Sequence, residues 1–384
     1  MQPRDGSGPL SRREFVRRSA AAATGAALAG TGLWSGLAGA QAGNGLIYRH
    51  LGKSGLVVPP ISMGTVGGWG EAGKSIEADE AAIRTFAEAL HYGLDQGLTM
   101  IHTCSSYNDG KALVAIGEVM KDRRDEVVLC LKQMPDAELP RCLEKLQCGG
   151  VDVLLPDRTQ LHLITEETVP ALYQAAKEQG LTKLTGFASH QSMPDILAAS
   201  LEMACYDAAI MFYNPAAQPA INPVLARAKE QGMGLLAMKT CADVPGEQWE
   251  EVMGAIIAAE QVDSLVRTVA GKADVDRWLG VAQRAVAEAQ ALRESGVLAA
   301  LQAAGCAMCG ACSGSCPRGL NAAQIQRYAY YVEQGWTDHG RDLYAALSPA
   351  RQVPACADCG TCERGCPQRL PVRERLQRAH RMLT

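Results

Sequence analysis

Residues 168–189 read TVPALYQAAKEQGLTKLTGFAS, and the change of period within them decides the fold. Val169, Leu172, Tyr173 and Ala176 fall at helical spacing over 168–179. Gly180 stands where a helix ends in a left-handed turn, a conformation glycine adopts without a Cβ penalty. The stretch 181–189 then reads as a short apolar strand. Outward from here the unit recurs: Gly97 and Gly232 close helical stretches ahead of strands at 98–104 and 234–239. Further strands are expected at 57–65, 126–134, 151–155, 208–213 and 264–269, and further helices at 79–94, 222–231 and 249–260. Eight strand–helix units within residues 46–295 predict an α/β fold, a (β/α)₈ TIM barrel, with an open doubly wound sheet as the rival arrangement.

Past the barrel the cysteines take over. Eight of the 14 lie within residues 306–366, in two runs of the same spacing. Cys306, Cys309, Cys312 and Cys316 precede Pro317, and Cys356, Cys359, Cys362 and Cys366 precede Pro367. Three thiolates at three-residue steps wrap one cubane, and the proline turns the chain away after the fourth. This is two-cluster ferredoxin spacing, in which the fourth cysteine of each run ligates the other cluster. Cys306, Cys309, Cys312 and Cys366 are thus expected on one [4Fe–4S] cluster, and Cys356, Cys359, Cys362 and Cys316 on the second. Structural zinc sites instead use separated pairs. Residues 296–384 are expected to form a smaller, mostly helical dicluster domain of ferredoxin type, with helices at 321–335 and 340–347. The other six, Cys104, Cys130, Cys142, Cys148, Cys205 and Cys241, read as core thiols.

Several barrel motifs carry a resemblance. Tyr48-Arg49-His50-Leu51-Gly52-Lys53-Ser54-Gly55-Leu56, with Met63-Gly64-Thr65, resembles the opening of an aldo/keto reductase. Gly97-Leu98-Thr99-Met100-Ile101-His102-Thr103-Cys104-Ser105-Ser106-Tyr107 resembles the second strand and catalytic turn of that family. The likeness covers roughly residues 46–290, and reductase-like barrel followed by dicluster domain resembles one branch of such proteins. It implies Tyr107 as proton donor to a carbonyl, Lys132 as the ammonium that lowers the phenol's pKa, and His162 as the group that orients the carbonyl. It further implies NADP(H) as hydride carrier, with Ser189, His190 and Lys239 as cofactor contacts and Gly271 and Lys272 at its phosphate. The chain departs from the family at His102, where an aspartate usually holds the lysine. Ile210 and Trp278 replace a glutamine and an asparagine on the cofactor side.

The N-terminus reads as an address. Arg12-Arg13 and Phe15 precede an Ala/Gly-rich stretch and small residues near 38–42, resembling a twin-arginine signal over residues 1–42. Export by that route to the periplasm is expected. It would carry a folded chain with its oxygen-sensitive clusters already inserted. No later segment is long and apolar enough to span a membrane. A net charge of -4 gives no electrostatic footprint for nucleic acid.

These readings point to an oxidoreductase coupling a barrel-bound small-molecule substrate or NADP(H) to one-electron transfer toward a redox partner protein. A hydride carries two electrons and each cluster takes one. A flavin usually bridges that mismatch, and the sequence leaves one open. The alternative is a non-enzymatic electron-transfer protein on a degenerate reductase barrel.

Overall fold

The computed structural model describes residues 44–65, 80–302, 305–333 and 336–384; the expected signal segment lies outside them. The first two strands, β1 (Arg49–His50) and β2 (Val57–Val58), form an antiparallel hairpin. Eight parallel strands then close into a barrel: β3 (Ile61–Gly64), β4 (Met100–Cys104), β5 (Val128–Gln133), β6 (Val151–Pro156), β7 (Thr182–Ser189), β8 (Ala208–Phe212), β9 (Gly234–Met238) and β10 (Ser264–Thr268). Pairing of β10 back onto β3 leaves no edge. Closure excludes the open sheet, although Gly68, Gly70 and Gly73 spell G-x-G-x-x-G in the sequence after β3, the first barrel strand.

All eight expected barrel strands are present, and one needs correction. The stretch 57–65 is not a single strand. Pro59 and Pro60 lack the N–H that a continuous ladder needs, so Val57–Val58 turns back onto the hairpin and the barrel strand begins at Ile61. Leu51 and Val58 pack among Met100, Val128, Val153 and Leu236 in the barrel interior. The hairpin therefore stoppers the end of the barrel opposite the strand C-termini.

Side chains two residues apart share a face of a strand. Met100, Val128 and Cys130, Val153 and Leu155, Leu184 and Ala188, Ala208 and Ile210, Leu236 and Met238 form the apolar interior. The same series, continued upward, brings polar residues to the mouth: His102 after Met100, Lys132 after Cys130, Asp157 after Leu155, His190 after Ala188. Of the six scattered cysteines, Cys104, Cys130, Cys142 and Cys241 are buried, Cys148 and Cys205 are half-buried, and all six are free thiols.

The cysteine-bearing segment folds as two copies of one unit. A short helix at Ala311–Gly314 and a longer one at Ala322–Glu333 recur 50 positions on as Thr361–Arg364 and Val372–Leu383. Backbone turns match as well: Met308 and Asp358 both have φ 49°, and Gly310 and Gly360 both lie in the left-handed region. Helix Thr337–Ala345 joins the copies. The unit sits on the C-terminal end of the barrel. Asn214 Nδ2 donates to Cys306 O at 3.1 Å, Ser192 N to Met308 O at 2.8 Å, and Gln368 Nε2 to Ala216 O at 2.8 Å. Among the described residues no helix is long and apolar enough to cross a membrane.

Gly186 on β7 is the tightest strand contact. A Cβ there would lie 1.9 Å from Ala208 O and 2.7 Å from Leu155 Cδ2, and a backbone neighbour cannot swing aside. Gly186→Ala is expected to cost about 3 kcal/mol or more by overpacking, seen as a fall in the midpoint of thermal unfolding. An unchanged midpoint would contradict this packing.

Candidate active site at the barrel mouth and cysteine cradles

At the end of β5, buried Lys132 meets two partners. Its Nζ lies 3.0 Å from Asp157 Oδ2 and 3.0 Å from His190 Nε2. Asp157 follows β6 directly and is 14% exposed, so the ammonium has a countercharge where the sequence reading, looking only at His102, found none. The signal for Asp157 was present: it stands two residues beyond inward-facing Leu155.

His102 lies beside this pair. Burial, reinforced by the Lys132 charge, pushes its imidazole down to about 3, so it stays neutral. Its Nε2 is buried without a partner, as are His190 Nδ1 and Asp157 Oδ1. Burial likewise drives His190 well below the usual histidine range, with Lys132 and Lys239 adding to it. Three unpartnered polar atoms around one opening suit a polar ligand rather than an apolar one.

Tyr107, on a 3₁₀ turn after β4, is half-buried with its ring 6.5 Å from the His102 ring. Its expected tuning is overturned. Burial, with Cys104, Tyr331 and Asp157 nearby, raises the phenol well above its ordinary value. Lys132 is turned toward Asp157 and His190. Tyr107 is therefore a neutral phenol, able to donate a hydrogen bond or a proton. His162 is corrected outright: it is exposed on the short helix Leu161–Ile164, near Glu166, and is not at the mouth. Strand β6 ends at Pro156, so five residues carry the chain past the opening before His162 is reached.

The cofactor contacts inferred from resemblance are largely spent on internal bonds. Ser189 Oγ donates to Gln191 O at 3.2 Å, and His190 Nε2 is taken by Lys132. Gly271 caps helix Lys272–Ala287, where Asp274 already accepts from Ala270 N at 2.7 Å, and Lys272 Nζ lies 5.8 Å over the Tyr92 ring. Ile210 belongs to the apolar interior. Trp278 is buried, donating to Thr268 O at 2.8 Å, with the Arg267 guanidinium 4.8 Å above its ring.

Lys239 has a different partner. It sits just past β9 with a left-handed φ of 57°, uncommon for a residue bearing a Cβ. Its Nζ donates to Tyr331 Oη at 3.1 Å and lies 4.2 Å from that ring. Tyr331 belongs to helix Ala322–Glu333 of the cysteine-bearing domain, which also brings Arg327 and Tyr330. No local sequence signal could have placed these at the barrel mouth, because their position depends on docking of the second domain.

The cysteines gather across the repeat. Cys316 lines one small cavity together with Cys356, Cys359 and Cys362, and Cys366 lies close enough to Cys312 to perturb its thiol. Each run exposes an amide to its first sulfur: Met308 N to Cys306 Sγ and Asp358 N to Cys356 Sγ, both at 3.4 Å. Thiol quartets cradled by backbone N–H groups fit the donor set of [4Fe–4S] clusters. Burial raises Cys306 to about 12 and Cys312 to about 11, so these positions hold neutral thiols until metal displaces the proton.

Residues 60–243 match the model of the aldo/keto reductase family, and residues 284–370 match the model of the 4Fe-4S dicluster domain. The chain thus pairs a barrel similar to the aldo/keto reductases with a segment similar to the 4Fe-4S dicluster domain. Solved structures agree on the barrel. An aldo-keto reductase from Bacillus halodurans in its holo form superposes with a TM-score of 0.51 at 15% identity, over 64% of this chain and 96% of that one. A Klebsiella pneumoniae aldo-keto reductase in complex with NADPH gives 0.50 at 20% identity, over 63% and 93%. A Pseudomonas aeruginosa chain whose aldo-keto reductase assignment is provisional gives 0.53 at 20%, over 62% and 95%. At such identities the likeness is one of fold.

The neutral histidines set a pH dependence. An unfolded histidine binds a proton below about 6.5, whereas folded His102 refuses it down to about 3. Stability is then fully present above pH ~6.5 and is lost as pH falls below it, with about one proton's slope from His102 and a second from His190. Thermal unfolding followed from about pH 7.5 to 5.5 should show His102→Asn losing stability less steeply than the native chain. Parallel curves would mean that His102 titrates normally.

Proposed function

We propose that the protein is an oxidoreductase in which a small polar substrate at the barrel mouth exchanges electrons with two [4Fe–4S] clusters in the C-terminal domain, one of them adjoining the substrate. The observation that carries this reading is a shared wall. One cavity is lined both by Lys239 of the barrel and by Cys306, first cysteine of the first run. The clusters, when bound, would supply one-electron transfer. Cys306, Cys309, Cys312 and Cys366 would hold the cluster beside the barrel, and Cys356, Cys359, Cys362 and Cys316 the outer one. Cys359 is exposed, which gives the outer cluster the side that a redox partner protein can approach.

The barrel's own residues bind, orient and handle protons. Tyr107 and Tyr331 are neutral phenols, raised chiefly by burial, and can donate to a developing oxyanion. His102 Nε2 and His190 Nδ1 are free to engage the substrate. Lys132, fixed by Asp157, sets the local potential. Helix Ala322–Glu333 covers the opening and excludes bulk water. Export through the twin-arginine route belongs to the same proposal and is supported by Arg12-Arg13 with Phe15, the Ala/Gly-rich stretch after them and the small residues near 38–42.

Crossed ligation and the electron source can be tested on one anaerobic preparation. Cys316→Ser is expected to lower iron from about eight to about four atoms per chain, because it removes a ligand of the outer cluster only. Retention of all the iron would refute the crossed assignment. Dithionite should bleach the clusters of the native protein, whereas NADPH should leave them oxidised. Rapid bleaching by NADPH would replace this reading with a nicotinamide-coupled enzyme. A second reading, electron transfer without catalysis, is favoured by His102 standing where the family carries an aspartate.

A further inference from the structure

We propose that the cavity between barrel and dicluster domain binds the carboxylate or phosphate group of a small ligand, held between Lys239 of the barrel and Arg327 of helix Ala322–Glu333. This deepens the functional reading above and rests on it, because the site exists only where the two domains meet.

The charges around the cavity do not balance. Its walls carry Asp243, Glu333, Lys239, Arg327, Arg375 and Arg378. Both carboxylates are already matched: Asp243 accepts from Arg375 at 2.7 Å and Glu333 from Arg378 at 2.9 Å. Lys239 and Arg327 have no carboxylate partner among the described residues. Lys239 is bonded only to the neutral phenol of Tyr331. Arg327 makes no ion pair, lies 5.4 Å over the Tyr328 ring, and keeps its Nε buried without a partner. With both wall carboxylates already paired, Lys239 and Arg327 leave the half-open cavity at positive potential.

The surroundings reinforce this. Burial pushes the Lys239 ammonium far down, and Arg327 and Lys132 push it further. An anion beside Lys239 would offset that penalty. The left-handed backbone at Lys239 holds its side chain toward the junction at a conformational cost, the kind of strain found where a residue's direction matters. Neither feature helps the fold, since a methionine and a glutamine would fill the same space without the desolvation cost.

Size narrows the ligand. The cavity volume is about 120 Å³, several times the roughly 10–15 Å³ that one ordered water needs on the same measure. A two- or three-carbon acid, or a single phosphate group, fits that space.

The test uses the cluster-loaded protein, handled anaerobically, with sodium acetate and inorganic phosphate as probes in titration calorimetry at fixed ionic strength. At least one probe is expected to bind saturably at one site per chain. Lys239→Met and Arg327→Gln should each weaken it by at least about tenfold, since each removes a charge-assisted hydrogen bond. Arg327→Lys, which keeps the charge, should recover most of the affinity. NADP should not displace the probe; displacement would assign the cavity to a cofactor phosphate and overturn the small-ligand assignment. No saturable binding, or equal binding in the native chain and both charge-removing variants, would overturn the site itself. Iron content and dithionite bleaching measured on the same samples separate the outcomes. Intact, reducible clusters without anion binding sink this inference alone, whereas absent clusters sink the functional reading beneath it.

Discussion

A single carboxylate, Asp243, ties the architecture together. It leaves the barrel just past β9 and accepts the amide of Cys306 at 2.7 Å and the guanidinium of Arg375 at 2.7 Å. One side chain thereby joins the barrel rim, the first cysteine loop and the last helix. Its own backbone is left-handed, φ 58°, as are Ser192 at 52° and Lys239 at 57°, and all three face the dicluster domain. Left-handed residues with a Cβ cost on the order of 1–2 kcal/mol each, so the rim accepts strain where it meets the second domain. The junction is thus a specified interface rather than a flexible tether, and everything proposed for the site depends on that fixed geometry.

The mouth of the barrel is also rearranged electrically. A lysine at the end of a barrel strand needs a countercharge when buried, or it neutralises. With histidine at position 102, that countercharge comes from Asp157 one strand over. The Tyr107 phenol nearby is raised, chiefly by burial. A second lysine–tyrosine contact, Lys239 to Tyr331, appears across the domain junction. Polar function at this opening is therefore shared between two domains.

The barrel was legible because its signals are local. The helix–glycine–strand change of period at residues 168–189 recurs along the chain and needs no tertiary information. The hairpin at its base was missed because the Val57–Val58 run and the strand after it read as one stretch, although Pro59 and Pro60 marked the break. The cysteine runs were legible for the same local reason, since spacing alone states the geometry. His162 misled because sequence order stood in for position: the resemblance placed a histidine near the end of β6, and the chain had already turned away. Asp157 could have been found by counting along the strand in steps of two. Arg327 and Tyr331 could not, since nothing in the helix that bears them announces the surface on which it will dock.

The 50-position repeat of the dicluster domain also dictates an order of events during synthesis. In the crossed ligation proposed above, each half would supply three thiolates to its own cluster and lend the fourth to the other. A nascent chain that has passed Cys316 therefore holds an incomplete quartet, whatever iron is available, until Cys366 has been made and folded back. The barrel, closed by β10 well upstream, can be complete by then and present Asp243 as a docking point. Cluster insertion then becomes the final act of folding, and a chain that has acquired its colour has thereby shown that both halves are in place.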